Sequence, residues 1–445
     1  MFLIMLKRVT APALALWLII VIAHTAAASI IRDTEIEDAL LKIMRPMATE
    51  VGLNADLMQV RIVINPQYNA FVMADNMIYI HSGIITSSET MEEVAGVLAH
   101  EIGHIAAGHI PRRSEVVENA QMASLLSAFA AIALSAAGSG DAAFGVLAGG
   151  IDRSQRIVMA RSRQDEGVAD DIAMRLMLSQ GLSVEPLAKT MRRIGAERSL
   201  PQSRQSDYYL SHPGAYERSA IFQDHVNTNE SPDMKEPQWM IDAHARIKVK
   251  LEAWTDPAQN VIANNIGDYS DQATYKRAIA YHRLSDYKAA ASEMSFLIND
   301  YPSDAYYNEF MGDILLKDGQ IDNAIISYKT ALMLMEDDLN KGQINLSLGR
   351  ALVIKGDAGS INEAIQILEK AHRDEPEWAF VKHQLGVAYG KAGRLADADL
   401  ILAEEALMVG NHDLAKRLAK RVPGHPDATP IHKQLAQDII NQIDL

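Results

Sequence analysis

The chain has 445 residues, of which 48% are hydrophobic and 22% charged, with a formal net charge of −15. That balance is globular rather than disordered, and the length exceeds what one hydrophobic core serves, so two or three domains are expected. The acidity argues against nucleic acid or an anionic surface as a partner. The absence of cysteine excludes disulfides, thiol nucleophiles and thiolate ligands, so any metal site must draw on His, Asp or Glu.

Residues 1–28 read as an export leader. Lys7 and Arg8 precede a short apolar run from Pro12 to Ala23, and Ala26-Ala27-Ala28 offers a cleavage pattern before Ser29. The run is shorter than the ~20 residues of a spanning helix, so a signal peptide is expected, with a retained anchor as the alternative. Cleavage removes Lys7 and Arg8 and takes the net charge to −17.

Residues 30–60 read as helical, with Leu40, Leu41, Met44 and Met47 on one face. Alternating apolar residues then give a strand through Val60, Ile62 and Ile64, stopped by Asn65-Pro66. Ala70-Phe71-Val72 and Met77-Ile78-Tyr79-Ile80 read as a strand pair around Asp75-Asn76. Thr90 starts a helix, with Glu93 completing a capping box, and the helix runs to about His109 before Pro111. Residues 121–150 are rich in Ala and Gly and apolar, interrupted at Gly138-Ser139-Gly140-Asp141. They predict two helices, buried or forming a lid, with a peripheral membrane contact as a further alternative. A long helix follows from about Arg156 to Gln180, ended by Gly181. Residues 225–238 read as a loop, Met240 to Trp254 as a helix, and Asp256-Pro257 through Gly267 as a linker.

Beyond the linker the sequence repeats. Ala290, Ala324, Ala364 and Ala398 recur at spacings of 34, 40 and 34, and Ala278, Gly312, Gly349 and Gly386 form a second aligned set. Gly319-Gln320, Gly356-Asp357 and Gly393-Arg394 mark turns, and Pro302 and Pro376 close two of the units. The pattern resembles the tetratricopeptide repeat, a helix-turn-helix unit that must stack to bury its faces. The third unit carries extra residues near Ala358-Gly359-Ser360. The expected organisation is a leader at 1–28, an α+β domain at 29–265 and an all-α repeat domain at 266–445.

The chemistry lies in His100-Glu101-Ile102-Gly103-His104. Residues four apart on a helix project from one face, which suits two imidazoles binding one zinc ion, with Glu101 as general base beside it. Val94, Val97, Leu98 and Ile102 make the surroundings apolar. His109, nine residues after His100, is expected to face away and to interact with the helix C-terminus. A third ligand is expected from Glu166, with Asp170 one turn on accepting the second ring N–H of a ligating histidine. Taken alone, these acids fit a solvated face paired with Arg161 and Arg163; the want of a third ligand elsewhere on the motif helix points to Glu166. Gly167 and Ala169 are small enough for close helix packing.

His100-Glu101-x-x-His104, Glu166-x-x-Ala169-Asp170 and His212-Pro213 followed by Arg218 together resemble the CAAX-prenyl-protease-type zinc peptidases, peptidase family M48. With the leader and the repeats, the chain resembles the beta-barrel assembly-enhancing branch of that family. The resemblance implies a zincin-like (gluzincin) α+β metallopeptidase domain followed by a tetratricopeptide-repeat solenoid. It implies one Zn(2+) held by His100, His104 and Glu166, Glu101 as base and acid, and Arg218 as a partner of His212. His212 either stabilises the oxyanion or takes the fourth zinc position. Asn69-Ala70-Phe71 and Met73-Ala74-Asp75 stand where the family places a substrate-binding strand edge, though ordinary sheet pairing also accounts for them.

The implied role is a periplasmic zinc endopeptidase of a Gram-negative bacterium with a chaperone-like part in outer-membrane β-barrel assembly. Its implied partners are unfolded or misassembled outer-membrane proteins and, through the repeats, the assembly machinery. The competing reading is a repeat chaperone or adaptor with latent peptidase activity. A membrane-embedded prenyl-protein protease would need several spanning helices, which the sequence after the leader lacks.

Overall fold

The computed structural model describes residues 29–72, 77–109, 163–201, 205–229, 234–336 and 339–444. The leader, Met73-Ala74-Asp75, the 121–150 segment and the start of the helix expected from Arg156 lie outside the described residues.

Among the described residues four strands form the sheet: β1 (Ser29–Ile31), β2 (Gln59–Ile64), β3 (Ala70–Val72) and β4 (Met77–His81), in the order β1-β2-β4-β3. The β2–β4 pair is parallel; β1 and β3 add antiparallel at the two edges. Val60, Ile62, Ile78 and Ile80 are fully buried, so alternation sends one face of the sheet into the core. The reading of 30–60 as one helical stretch needs correction. Ile30 and Ile31 favour extended backbone and pair with β2, and Asp33 then caps α1 (Thr34–Glu50), accepting from the Ile36 N–H at 3.0 Å.

The short helix α2 (Ser82–Ser87) leads into α3 (Met91–Ala106), which is buried from Met91 to Ile105. A helix apolar around most of its circumference belongs inside a domain, and this one is surrounded. Thr90 caps it, accepting from the Glu93 N–H at 3.3 Å. The Glu93 carboxylate pairs with Lys189 at 2.9 Å and Arg193 at 3.0 Å, tying α3 to the helix Glu185–Ala196. A helix over residues 163–179, a short one at Asp207–Ser211 and a longer one at Ala215–Asn229 complete the wall around α3. The last of these runs into the stretch expected to be loop.

The helix Gln238–Thr255 serves two cores. Met240, Ile247 and Leu251 belong to the α+β core, whereas Val249 and Ala253 join Tyr275, Ala278 and Ile279 at the head of the repeats. A further helix, Ala258–Asn264, stands where the sequence suggested a linker and buries Ala258 and Val261 in that second core.

The repeats are helix pairs: Asp271–Arg283 with Tyr287–Asp300, Ala305–Lys317 with Ile321–Leu334, Gly342–Lys355 with Ala358–Asp374, and Ala379–Lys391 with Leu395–Met408. His412–Arg421 and Pro430–Asp444 follow them. The aligned glycines are small for a steric reason. A Cβ on Gly349 would lie 2.5 Å from Leu368, and Cβ atoms on Gly312 and Gly386 would lie 2.6 Å from Tyr328 and Leu402. The extra residues of the third unit are split. Ala358–Asp374 has 17 residues where its counterparts have 14, and the connection at 335–341 is longer than those at 301–304 and 375–378.

The solenoid grips the start of the α+β domain. Glu375 reaches Arg32 at 2.6 Å and Arg61 at 3.5 Å, and both arginines also meet Glu37. Thr34 donates to Glu309 at 2.8 Å, Tyr306 donates to Asp38 at 3.1 Å, and Arg246 bridges Glu35 and Asp304. These groups are largely removed from water, so the two parts are fixed by paired charges as well as apolar contact.

Candidate metal centre

Three elements bring four side chains to one point. From α3, His100 and His104 direct their Nε2 atoms together, 3.1 Å apart. From the 163–179 helix, Glu166 lies 3.2 Å from His100 Nε2 and 3.4 Å from His104 Nε2. The turn Asp207–Ser211, capped by Ser206, delivers His212, whose Nδ1 is 3.3 Å from His100 Nε2 and 2.9 Å from Glu166. All four are buried. The helices meet closely because of Gly103, where a Cβ would lie 2.7 Å from the Ala169 carbonyl oxygen. Ala169 thus acts as the sequence suggested, whereas Gly167 is exposed with nothing near it.

Asp170 and Arg218 surround this group. Asp170 accepts from His100 Nδ1 at 3.0 Å, and Arg218 donates to Asp170 through two bonds of 2.6 Å and to Glu166 at 2.8 Å. Burial opposes the charge on each carboxylate, but Arg218 and the histidines outweigh it and hold both below the ordinary range. Burial lowers His104 to about 3 and His212 to about 4, which keeps those rings neutral. Burial alone would also lower His100, but hydrogen bonds to Asp170 and Glu166 raise it to about 9. A positive charge is therefore favoured among these nitrogens, and a metal ion can supply it in place of a proton.

The donor set fits such an ion. In a neutral His100 ring that donates from Nδ1 to Asp170, the Nε2 lone pair faces that of His104, and both are available to an ion. Tetrahedral ligands at ~2.0–2.1 Å from zinc lie about 3.3 Å from each other, close to the 3.1–3.4 Å among His100, His104 and Glu166. Imidazole and carboxylate donors without thiolate suit a first-row divalent metal ion.

Glu101, on the same helix, places a carboxylate oxygen 3.7 Å from His212 Nε2. Glu101, His104 and His212 line a cleft with Phe71 and Val72 of the edge strand β3. Phe71 stacks on Tyr79 with ring centroids 5.2 Å apart. Ala70 is fully buried and the Asn69 carbonyl accepts from the His81 backbone N–H at 2.9 Å; neither is among the residues that line the cleft.

Two residues stand differently from the sequence reading. His109 does not face away: it is buried, with its Nδ1 2.9 Å from His104 Nδ1. Helical spacing failed there because the helix ends at Ala106 and Gly108, at φ +66°, turns the chain back. Tyr208 belongs to the site although no motif marks it. Its ring is fully buried, 4.3 Å from that of His212, and burial raises its phenol well above the ordinary value. Its position one turn before His212 was the available signal.

Residues 35–224 match the profile of peptidase family M48. The chain is similar to the beta-barrel assembly-enhancing protease of Escherichia coli (strain K12), 22% identical over 316 residues, covering 69% of this chain and 62% of that protein. It is also similar to the metalloprotease LoiP of the same strain, 26% identical over 197 residues, covering 42% of this chain and 71% of that one. Among solved structures, a thermophilic TPR protein of Thermus thermophilus aligns at a TM-score of 0.26 and 18% identity, covering 39% of this chain and all of that one. The chain spans about three-fifths of the length of the beta-barrel assembly-enhancing proteases it matches, 57% for that of Yersinia pestis.

Proposed function

We propose that this chain, whose residues 35–224 match the profile of peptidase family M48, hydrolyses peptide bonds at a zinc centre held by His100, His104 and Glu166. The observation that carries the reading is the convergence of two Nε2 atoms and a buried carboxylate within 3.1–3.4 Å of one another. A zinc ion held there supplies Lewis acidity toward water and the scissile carbonyl. Glu101 takes the proton from the attacking water and returns it to the departing amine. Asp170 holds the His100 ring through Nδ1, and Arg218 offsets the two carboxylates behind the ligands. An extended substrate fits along β3, where Phe71 and Val72 border the cleft. Backbone pairing at a sheet edge tolerates many sequences, which suits unfolded protein.

The deciding experiment measures metal content and hydrolysis of an unfolded protein by the purified chain, with and without chelator and with Glu101→Gln. The variant is expected to keep zinc and lose hydrolysis. Cleavage at the unaltered rate by zinc-loaded Glu101→Gln would falsify the assignment.

The relatives' name, beta-barrel assembly-enhancing protease, supports a setting in β-barrel assembly. On this reading the chain is a periplasmic enzyme, exported by the leader, that removes misassembled outer-membrane β-barrel proteins, with the repeats as docking element for those proteins or their assembly machinery. No helix among the described residues is long and apolar enough to cross a membrane. Truncating the repeats is a poor test, because it would strip Glu375 and Glu309 from the groups they meet in the α+β domain. The full chain carrying Glu101→Gln should retain an unfolded β-barrel protein in a pull-down; failure to retain it counts against this substrate class.

A further inference from the structure

We infer that His109, backed by Asp165, is a positioning residue that holds the His104 ring in the tautomer and orientation required of a metal ligand. The inference rests on the metal-centre reading above and adds a support that the ligand set alone does not contain. His109 is 2% exposed, and its Nδ1 lies 2.9 Å from His104 Nδ1. Its Nε2 lies 3.5 Å from Asp165, the residue before the ligand Glu166.

Proton bookkeeping fixes the direction of these contacts. A neutral imidazole that ligates through Nε2 carries its proton on Nδ1. His104 must then donate from Nδ1, and His109 Nδ1 must accept. The proton of His109 is left on Nε2, which faces the Asp165 carboxylate. One arrangement satisfies all three residues.

The two ligand histidines are therefore supported by different chemistry. His100 is held by the charged carboxylate of Asp170 at 3.0 Å, and His104 by a neutral ring. Asp165 and Glu166 are adjacent, so one helix supplies both the third ligand and the far end of this relay. The turn at Gly108 is what makes the contact reachable: on a straight helix His109 would point to the opposite side.

The test uses the full chain carrying Glu101→Gln, so that binding is read without turnover. The zinc dissociation constant is measured by competition with a chromophoric chelator for the parent, His109→Phe, His109→Asn and, as reference, His104→Ala. Loss of a residue that supports a ligand typically costs ~10–100-fold in metal affinity, and His109→Phe should fall in that range. Phe keeps the ring volume but cannot accept a hydrogen bond; the amide oxygen of Asn can, so His109→Asn should recover most of the affinity. The metal-free His109→Phe protein should unfold at the parent's denaturant midpoint. The inference is overturned if His109→Phe binds zinc as tightly as the parent while His104→Ala does not, or if Phe and Asn weaken binding equally. Undiminished zinc binding by His104→Ala would instead overturn the metal-centre reading itself.

Discussion

Arg218 holds Asp170 through two parallel N–H···O bonds of 2.6 Å and places a third N–H 2.8 Å from Glu166. One guanidinium thus lies between the carboxylate that accepts from His100 and the carboxylate that faces the proposed metal position. A planar fork can do this, whereas a lysine offers one point charge. Arg218 is buried, so the charges it offsets cannot turn to water in its absence.

Arg218→Gln should therefore harm both stability and the metal centre. Removing one partner of a buried pair typically costs ~3–5 kcal/mol, because the other charge is left uncompensated. Two facing carboxylates would then favour protonation, which competes with their roles. Denaturant unfolding and zinc stoichiometry of Arg218→Gln and Arg218→Lys measure this. Lys should recover part of the stability and less of the metal affinity; equal recovery of both would argue that charge alone matters.

His212 presents Nδ1 to the ligand cluster and Nε2 toward Glu101. Three protein ligands leave a position open for water, and a fourth closes it. His212→Ala is expected to weaken zinc binding and to raise hydrolysis of an unfolded protein. Unchanged zinc affinity with slower hydrolysis would assign the ring to stabilising the oxyanion instead.

The helical part of the site was legible because a four-residue spacing on one helix forces two side chains together. His100, His104, Glu166 and Asp170 follow from that rule and from the lack of another ligand on α3. His109 escaped it because the rule presumes a helix, and Gly108 ends the helix early. Tyr208 escaped because an aromatic residue before a histidine has many ordinary uses. The repeats were readable from small residues that face bulky ones, as Gly349 faces Leu368. The grip of Glu375 on Arg32 and Arg61 was not: no spacing rule links residues more than three hundred positions apart.

Gly103 and Gly96 lie on the same helix but should respond differently to alanine. In an exposed helix, Gly→Ala gains about 1 kcal/mol from propensity. At Gly103 the new Cβ would lie 2.7 Å from the backbone oxygen of Ala169, so the helix bearing Glu166 must shift. Overpacking of that kind costs ~1–3 kcal/mol. At Gly96 it would meet the tip of Leu187 at 2.9 Å, and a side chain can rotate away. Gly103→Ala should lose stability and zinc affinity together, and Gly96→Ala should keep its zinc affinity. Zinc titration and urea unfolding of the pair decide it; a Gly103→Ala protein with parental zinc affinity would show that the close approach does not set the position of Glu166.

Asp38 predicts a pH dependence at the junction with the repeats. Burial raises its carboxyl to about 7, against a lowering by the Tyr306 hydroxyl, which donates to it at 3.1 Å; the neighbouring charge of Glu37 raises it further, and Arg45 lowers it. In the unfolded chain it titrates near ~3.9. The charged form is thus penalised only in the folded state. Stability from this group is full below about pH 4 and is lost as pH rises through about 7. Asp38→Asn keeps an acceptor for Tyr306 and removes the charge. Its gain over the parent should be small at pH 4 and on the order of 2–4 kcal/mol at pH 8. Urea unfolding of both proteins at the two pH values measures the difference, and an equal gain at both would mean that Asp38 titrates normally in the folded chain.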